Sequence, residues 1–147
     1  MYKDTVTVFN RYGSRVNGDT WYAHCLYNTD VNIDRAAIIA KYGENAAESA
    51  KLHIMIDGDG TIQGLQFLDP VEWNSLTNDE LSSAITFQNG QNFDFFYVGE
   101  WDGPDVIRDD DYADGFYDFM NRNHSKVYAV TTVGIYSIIP HVEILGK

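Results

Sequence analysis

Asp57-Gly58-Asp59-Gly60-Thr61 starts like a calcium loop, in which carboxylates at alternate positions converge on one ion. Such a loop needs a third oxygen ligand near its fifth position and a glutamate at its twelfth. Thr61 and the apolar Leu68 occupy those places, so a hairpin turn is the better account. A second candidate runs from Glu100 to Asp118, where Glu100, Asp102, Asp105, Asp109, Asp110, Asp111, Asp114 and Asp118 face a single cation, Arg108. Clustered carboxylates suit a hard cation or a basic partner, and equally a solvated loop whose acids cap the next helix. The solvated loop is the simplest reading, a partner patch the next. His24, His53, His124 and His141 show no HxH or HExxH spacing, and a metal would require them to converge from distant positions. His24 and His53 read as satisfied core or sheet-face residues. The serines lie in no GxSxG elbow, and neither a P-loop nor a GxGxxG is present. Glu72 or Glu100 with a nearby Asp offers the paired carboxylates of a glycosidase, as any acidic chain does. The spacing therefore points to no catalytic residue, no metal and no cofactor.

Composition narrows the remaining classes. Twenty-two acidic residues against ten Lys and Arg give a net charge of −12. That charge repels phosphate backbones and argues against nucleic-acid binding, while favouring solubility or basic partners. A chain of 147 residues, 44% hydrophobic and 14% aromatic, suits one globular domain over 1–147. The lone Cys25 excludes an internal disulfide framework and reads as a small buried hydrophobe on a strand. The opening MYKDTVTVFNRY lacks a signal-peptide core, and no run approaches the roughly 20 apolar residues that span a bilayer. The expectation is a protein made in a reducing cytoplasm, with no membrane contact.

The elements that would position a site are mainly strands. Thr5 to Phe9 alternates at period two, Thr20 to Tyr27 follows after a turn at Gly13 to Gly18, and Asn28 to Asn32 is polar. Arg35 to Tyr42 is ambiguous, helical by its alanines and strand-like by Ile38-Ile39. Glu44 to Ala50 reads as helix or loop. Leu52 to Ile56 and Ile62 to Leu68 suggest a hairpin about the Asp-Gly turn, and Val71 to Leu76 one helical turn with Trp73 inward. Ile85 to Trp101 places Asn89-Gly90 between two apolar runs, the strongest short hairpin signal in the chain. Its second arm, Phe93 to Val98, is apolar enough for a strand covered on both faces. Tyr112, Phe116, Phe119 and Met120 share one helical face, predicting a helix at about 110–122 that Gly115 weakens. Lys126 to Val133 and Ile135 to Leu145 close the chain as strands around a turn at Thr132 to Gly134. The fold class expected is a mainly β barrel or sandwich of about seven or eight strands with that one helix.

The order of several short pieces resembles a family of small tailed-phage and prophage proteins, the minor capsid, head–tail connector or head-completion proteins. The pieces are Val8-Phe9-Asn10-Arg11-Tyr12, the strand Trp21 to Tyr27, and an Ala-Glu-Ser-Ala step into a strand at Ala47 to Ile56. Pro70-Val71-Glu72-Trp73, the stretch Phe87 to Glu100, and the closing His141 to Lys147 complete the set. Two places depart from the pattern: Gly90-Gln91 stands where Gly-Asp is frequent, and the acidic stretch Asp102 to Asp118 is longer.

The resemblance implies a non-enzymatic virion protein at the neck, an adaptor or stopper that acts by assembly. The implied partners are portal, adaptor and tail-completion proteins, with a homo-oligomeric ring in the virion and assembly in the host cytoplasm. The expected contact residues are Asn89, Gly90 and Gln91 at the hairpin tip and the acids Asp109, Asp110 and Asp111. A DNA-mimicking inhibitor, or a small hydrolase or metal-binding enzyme, is the alternative.

Overall fold

Period-two alternation decides the architecture. The computed structural model describes residues 2–14, 18–34 and 49–147. Residues 35–48 lie outside them, and with them the ambiguous Arg35 to Tyr42, most of Glu44 to Ala50 and the middle of the first turn. The described residues form ten strands in chain order: β1 (Asp4–Ser14), β2 (Gly18–Asp34), β3 (Ser49–Met55), β4 (Thr61–Ile62), β5 (Leu65–Phe67), β6 (Ala84–Ile85), β7 (Phe95–Val98), β8 (Val106–Arg108), β9 (Val127–Tyr136) and β10 (His141–Gly146). Three short helices accompany them among the described residues, α1 (Pro70–Asn74), α2 (Asn78–Leu81) and α3 (Phe116–Asn123).

The protein is mainly β, and six of its strands close on themselves. The order β1–β7–β9–β10–β3–β2 returns to β1 through the β1–β2 pairing, with every neighbour antiparallel. Closure removes the free edges of those six strands. The strand β8 adds outside the ring on β2, and β4, β5 and β6 form a separate small sheet.

Two long strands turn the corners. The part of β2 from Gly18 to Thr29 pairs with β1 and its last five residues with β3. The register slips between Val6↔Leu26 and Asp4↔Thr29, leaving one extra residue in β2, and Asn28 there takes φ 54°. Strand β9 does likewise, passing from β7 to β10 with an extra residue between Val130 and Thr132. A bulge bends a strand, and these two bends let β2 and β9 serve both walls. The polar Asn28 to Asn32 therefore continues β2.

Inward residues form the main core. Val6 and Val8 of β1, Leu26 of β2, Leu52 and Ile54 of β3, Phe96 of β7, and Val142 and Ile144 of β10 are all buried there. Gly146 belongs to this wall, because a Cβ on it would come within 2.7 Å of the Phe96 ring and 2.8 Å of Tyr128 Cβ. Gly146→Ala is expected to cost about 2 kcal/mol through this overpacking, read as a lower denaturant midpoint. A second core lies outside the ring, where α3 covers Phe9, Trp21 and Phe95 with Phe116 and Met120. Phe9 stacks on Phe95 at 4.8 Å and meets Phe116 edge-on at 5.2 Å. Residues 93–98 thus have both faces covered, as their composition predicts. Trp73 of α1 and Leu81 of α2 pack on Tyr22 and Ala84 in a third core.

Several sequence-based expectations need correction. The Ile85–Trp101 hairpin does not form: β6 pairs in parallel with β5, while β7 pairs with β1 and β9. Asn89-Gly90 leads instead into a 3-10 turn at Gly90–Asn92. The hairpin between residues 52–56 and 62–68 is also absent, because β2 and β10 occupy both edges of β3. β4 turns directly into β5 through Gln63 and Gly64, at φ 49° and 84°. The helix begins at Phe116, since Gly115 at φ 92° starts it and residues 109–111 form a 3-10 turn. The last turn spans residues 137–140, and Gly134 lies within β9 opposite Glu143.

Candidate functional site

Asp94 lies at one end of the barrel wall with no exposed surface. Its Oδ1 accepts hydrogen bonds from Arg11 N and Gln88 Nε2, both at 2.8 Å. Its Oδ2 accepts from Asn10 Nδ2 at 2.9 Å and Gln88 N at 2.8 Å. Asn10 Nδ2 also donates to Thr86 O at 2.7 Å, and Asn74 Nδ2 donates to Gln88 Oε1 at 2.8 Å. Burial pushes the Asp94 carboxyl up to about 7, against the four donors, which pull it down. The network ties β1, the 86–94 detour and α1 together, and explains why that detour leaves the ladder. Its chemistry is structural: four converging donors fix a carboxylate without presenting it to solvent.

The outer face of the opposite wall gathers a different set. Register places Asp30, His53, Glu143 and Gly134 in one row across β2, β3, β10 and β9. His53 Nε2 lies 3.4 Å from Glu143 Oε1, and His141 Nε2 lies 3.5 Å from Glu143 Oε2. His53 Nδ1 is buried without a hydrogen bond, with Asp30 Oδ2 3.7 Å away. Lys51 Nζ stands 3.8 Å from Glu143 Oε1. Burial raises the Glu143 carboxyl, but the hydrogen bond from His141 and the charges of His53 and Lys51 outweigh it and leave it below its ordinary value. Among the described residues, no group of three or more His, Cys, Asp or Glu side chains is placed to hold a metal ion.

Beside this row the β9–β10 connection projects an apolar apex. Ile138 is 97% exposed, Ile139 66%, Ile135 64% and Tyr136 49%. Isolated exposed apolar residues are ordinary; here four stand together at the end of a paired hairpin. Tyr136 lies flat on His141, 4.8 Å away and inclined by 7°. Ile56 N donates to Pro140 O at 3.0 Å, tying the apex to the chain after β3.

The residues expected from sequence do not come together as one site. Asn89, Gly90 and Gln91 are exposed at the 3-10 turn, where Asn89 Nδ2 donates to Thr131 O at 3.1 Å. Asp109 serves the fold, accepting from Trp21 Nε1 and from Phe116 N at the start of α3, both at 2.9 Å. Asp110 and Asp111 are exposed, and Asp114 and Asp118 both pair with Arg122. Of the calcium-like carboxylates, Asp59 Oδ1 accepts from Thr61 N and Thr61 Oγ1, and Asp57 Oδ2 from Gln63 N. Both close their own turn. Cys25 is half-buried rather than buried.

His24 is buried on β2 with Nε2 lacking a partner, so it is not the satisfied residue expected; burial pushes its imidazole down to about 4. A cleft of about 630 Å³ opens between α2 and the face of β1, β2 and β8, lined by Tyr12, Tyr22, Asp79 and Arg108 among others. Burial, then the neighbouring Tyr12, raises the Tyr22 hydroxyl. No helix among the described residues is long and apolar enough to cross a membrane.

The Asp94 network and the His53–Glu143–His141 row were missed from sequence, since their members stand up to 90 residues apart. A signal for the apex was present: two adjacent isoleucines directly before Pro140. No curated protein and no solved structure matches the chain. A family model does match, over residues 1–147, and the chain belongs to that family, described as a family of unknown function, DUF6751.

Proposed function

We propose that this chain is a non-enzymatic structural protein of a tailed-phage virion, acting at the head–tail junction by protein–protein assembly. The apolar β9–β10 apex carries the reading. A closed barrel with a packed interior leaves its surface as the place of action, and Ile138 at this apex is the most exposed large apolar side chain among the described residues. Ile138 and Ile139 are its contact residues, with Tyr136 as the aromatic anchor. The resemblance to head-completion proteins supplies the partners: portal, adaptor or tail-completion subunits, in a ring with further copies. Asn89, Gly90 and Gln91, with the exposed Asp110 and Asp111, are secondary contacts on the rest of the surface. Use of Asp109, Asp114 and Asp118 in internal bonds weakens the DNA-mimic alternative, which needs its carboxylates free.

The double substitution Ile138→Asp, Ile139→Asp tests this. It should leave the melting temperature within about 2 °C, because surface changes away from packed groups are nearly neutral. Affinity for the purified neck partner, measured by sedimentation or calorimetry, should fall about a hundredfold, as loss of two central contacts implies. Unchanged assembly would remove the apex from the interface.

A further inference from the structure

We propose that the free edge of β8 and the cleft beside it take an extended peptide segment of a partner protein, which adds as a further strand and carries an acidic and a basic side chain two residues apart. The site is separate from the β9–β10 apex and does not depend on it.

In the large sheet β8 comes last and pairs with β2 alone. The ladder shows which of its backbone groups are spare. Ala23 N donates to Asp105 O at 2.8 Å, which makes these two a hydrogen-bonded pair. Such pairs alternate along an antiparallel ladder, so Trp21 and Ile107 form the next one. Val106 and Arg108 fall at the positions between, and their N–H groups point away from β2. No acceptor among the described residues takes up either of them. An open edge of this kind is a template for another strand.

The same two residues turn their side chains to one face, while Ile107 goes the other way into the aromatic core. Register sets Arg108 across from Thr20 and Thr20 across from Tyr12, and all three line the cleft of about 630 Å³ below α2. Arg108 stands among eight carboxylates in sequence, yet among the described residues it makes no ion pair, and Asp114 and Asp118 go to Arg122 instead. Asp79 of α2 lines the cleft as well, paired neither with Arg108 nor with any other described cation. A guanidinium and a carboxylate thus share one cavity without meeting. A segment with an acid for Arg108 and a cation for Asp79 satisfies both. The net charge of −12 repels a purely acidic segment and Arg108 disfavours a purely basic one, so the mixed pair is the complement. Side chains two apart share a face of a strand, which gives the spacing. A three-residue edge is too short to recruit any strand by its backbone alone, so the cleft does the selecting.

The probes are two capped pentapeptides, Thr-Glu-Thr-Lys-Thr and Thr-Lys-Thr-Glu-Thr, which cover both strand directions, titrated into the isotope-labelled full chain. One of them should shift the amide resonances of Val106 and Arg108 and slow their hydrogen exchange, with half-saturation below about 5 mM. Val106→Pro removes an outward N–H without touching the β2 ladder and should weaken that peptide about tenfold. Arg108→Gln should weaken it about tenfold too, as should Gln for Glu in the peptide, and the two changes together should cost no more than either alone. Silence of both resonances with both peptides overturns the proposal. So does wild-type affinity in a folded Val106→Pro chain, and so do additive losses in the Arg108→Gln cycle, which decides the matter even if the proline variant fails to fold. A dimer in sedimentation whose β8 amides are protected without peptide overturns it as well, since a second copy then holds the edge.

Discussion

Asp94→Ala should lower the stability of the fold by about 4 kcal/mol, the largest single-residue effect expected outside the aromatic cores. The cause is what remains behind. Asn10 Nδ2, Arg11 N, Gln88 N and Gln88 Nε2 all aim at the two carboxylate oxygens, and alanine accepts from none of them. Each buried donor left without an acceptor costs about 1–3 kcal/mol, partly offset because a buried charge is no longer formed. For a chain of this size the loss corresponds to a melting temperature lower by about 10 °C. Asp94→Asn should fall between wild type and alanine, since its amide satisfies two donors and opposes the others. The discriminating control is Asp57→Ala, which removes an exposed turn acceptor and should cost under about 1 kcal/mol. Equal losses for Asp94→Ala and Asp57→Ala, measured by denaturant unfolding at pH 8, where the Asp94 carboxyl is ionised, would sink the idea of a buried hub.

The same hub shows where sequence reading stopped. Alternation and aromatic content made the β class legible, and the apolar run at residues 93–98 correctly predicted a strand with both faces covered. Phe96 points into the barrel and Phe95 under α3. Yet Asn89-Gly90, the strongest local hairpin signal, does not make a hairpin. Turn propensity is worth a few tenths to one kcal/mol, whereas the four bonds on Asp94, reaching back to Asn10 and Arg11, outweigh it. Gly134 misled for a related reason: a glycine in a strand marks close approach as well as a turn, and here the Tyr136 ring comes within 3.2 Å of where its Cβ would be. His53 and His141 became neighbours only through the β3–β10 register, which pairs Met55 with His141 and His53 with Glu143. A register is a property of the assembled sheet, and period two in each strand fixes the face but leaves the partner open.

Between pH 4.5 and 7.5 two buried groups pull the stability of the wild-type chain in opposite directions. Burial raises Asp94 from the ordinary 3.8 to about 7, so between those values the folded chain holds a proton that the unfolded chain releases. Folding is therefore favoured by acid across that window, and about 4 kcal/mol of that preference is lost as pH rises through 7. His24 does the reverse. Burial lowers it from 6.5 to about 4, so in that range the unfolded chain binds the proton and the folded chain does not. Its contribution is fully present above 6.5, and about 3 kcal/mol is lost as pH falls through 4. The two slopes overlap and oppose each other. Removing either group should expose the other. His24→Leu should make the protein grow more stable as pH falls from 7.5 to 4.5, and Asp94→Asn should make it less stable over the same interval. Exposed carboxylates such as Asp59 and Glu80 are held below their ordinary values by hydrogen bonds from Thr61 and Thr77, and both remain in all three chains as a common background. Denaturant midpoints at four pH values decide the matter, and parallel profiles in wild type and both variants would show that neither group titrates as its burial demands.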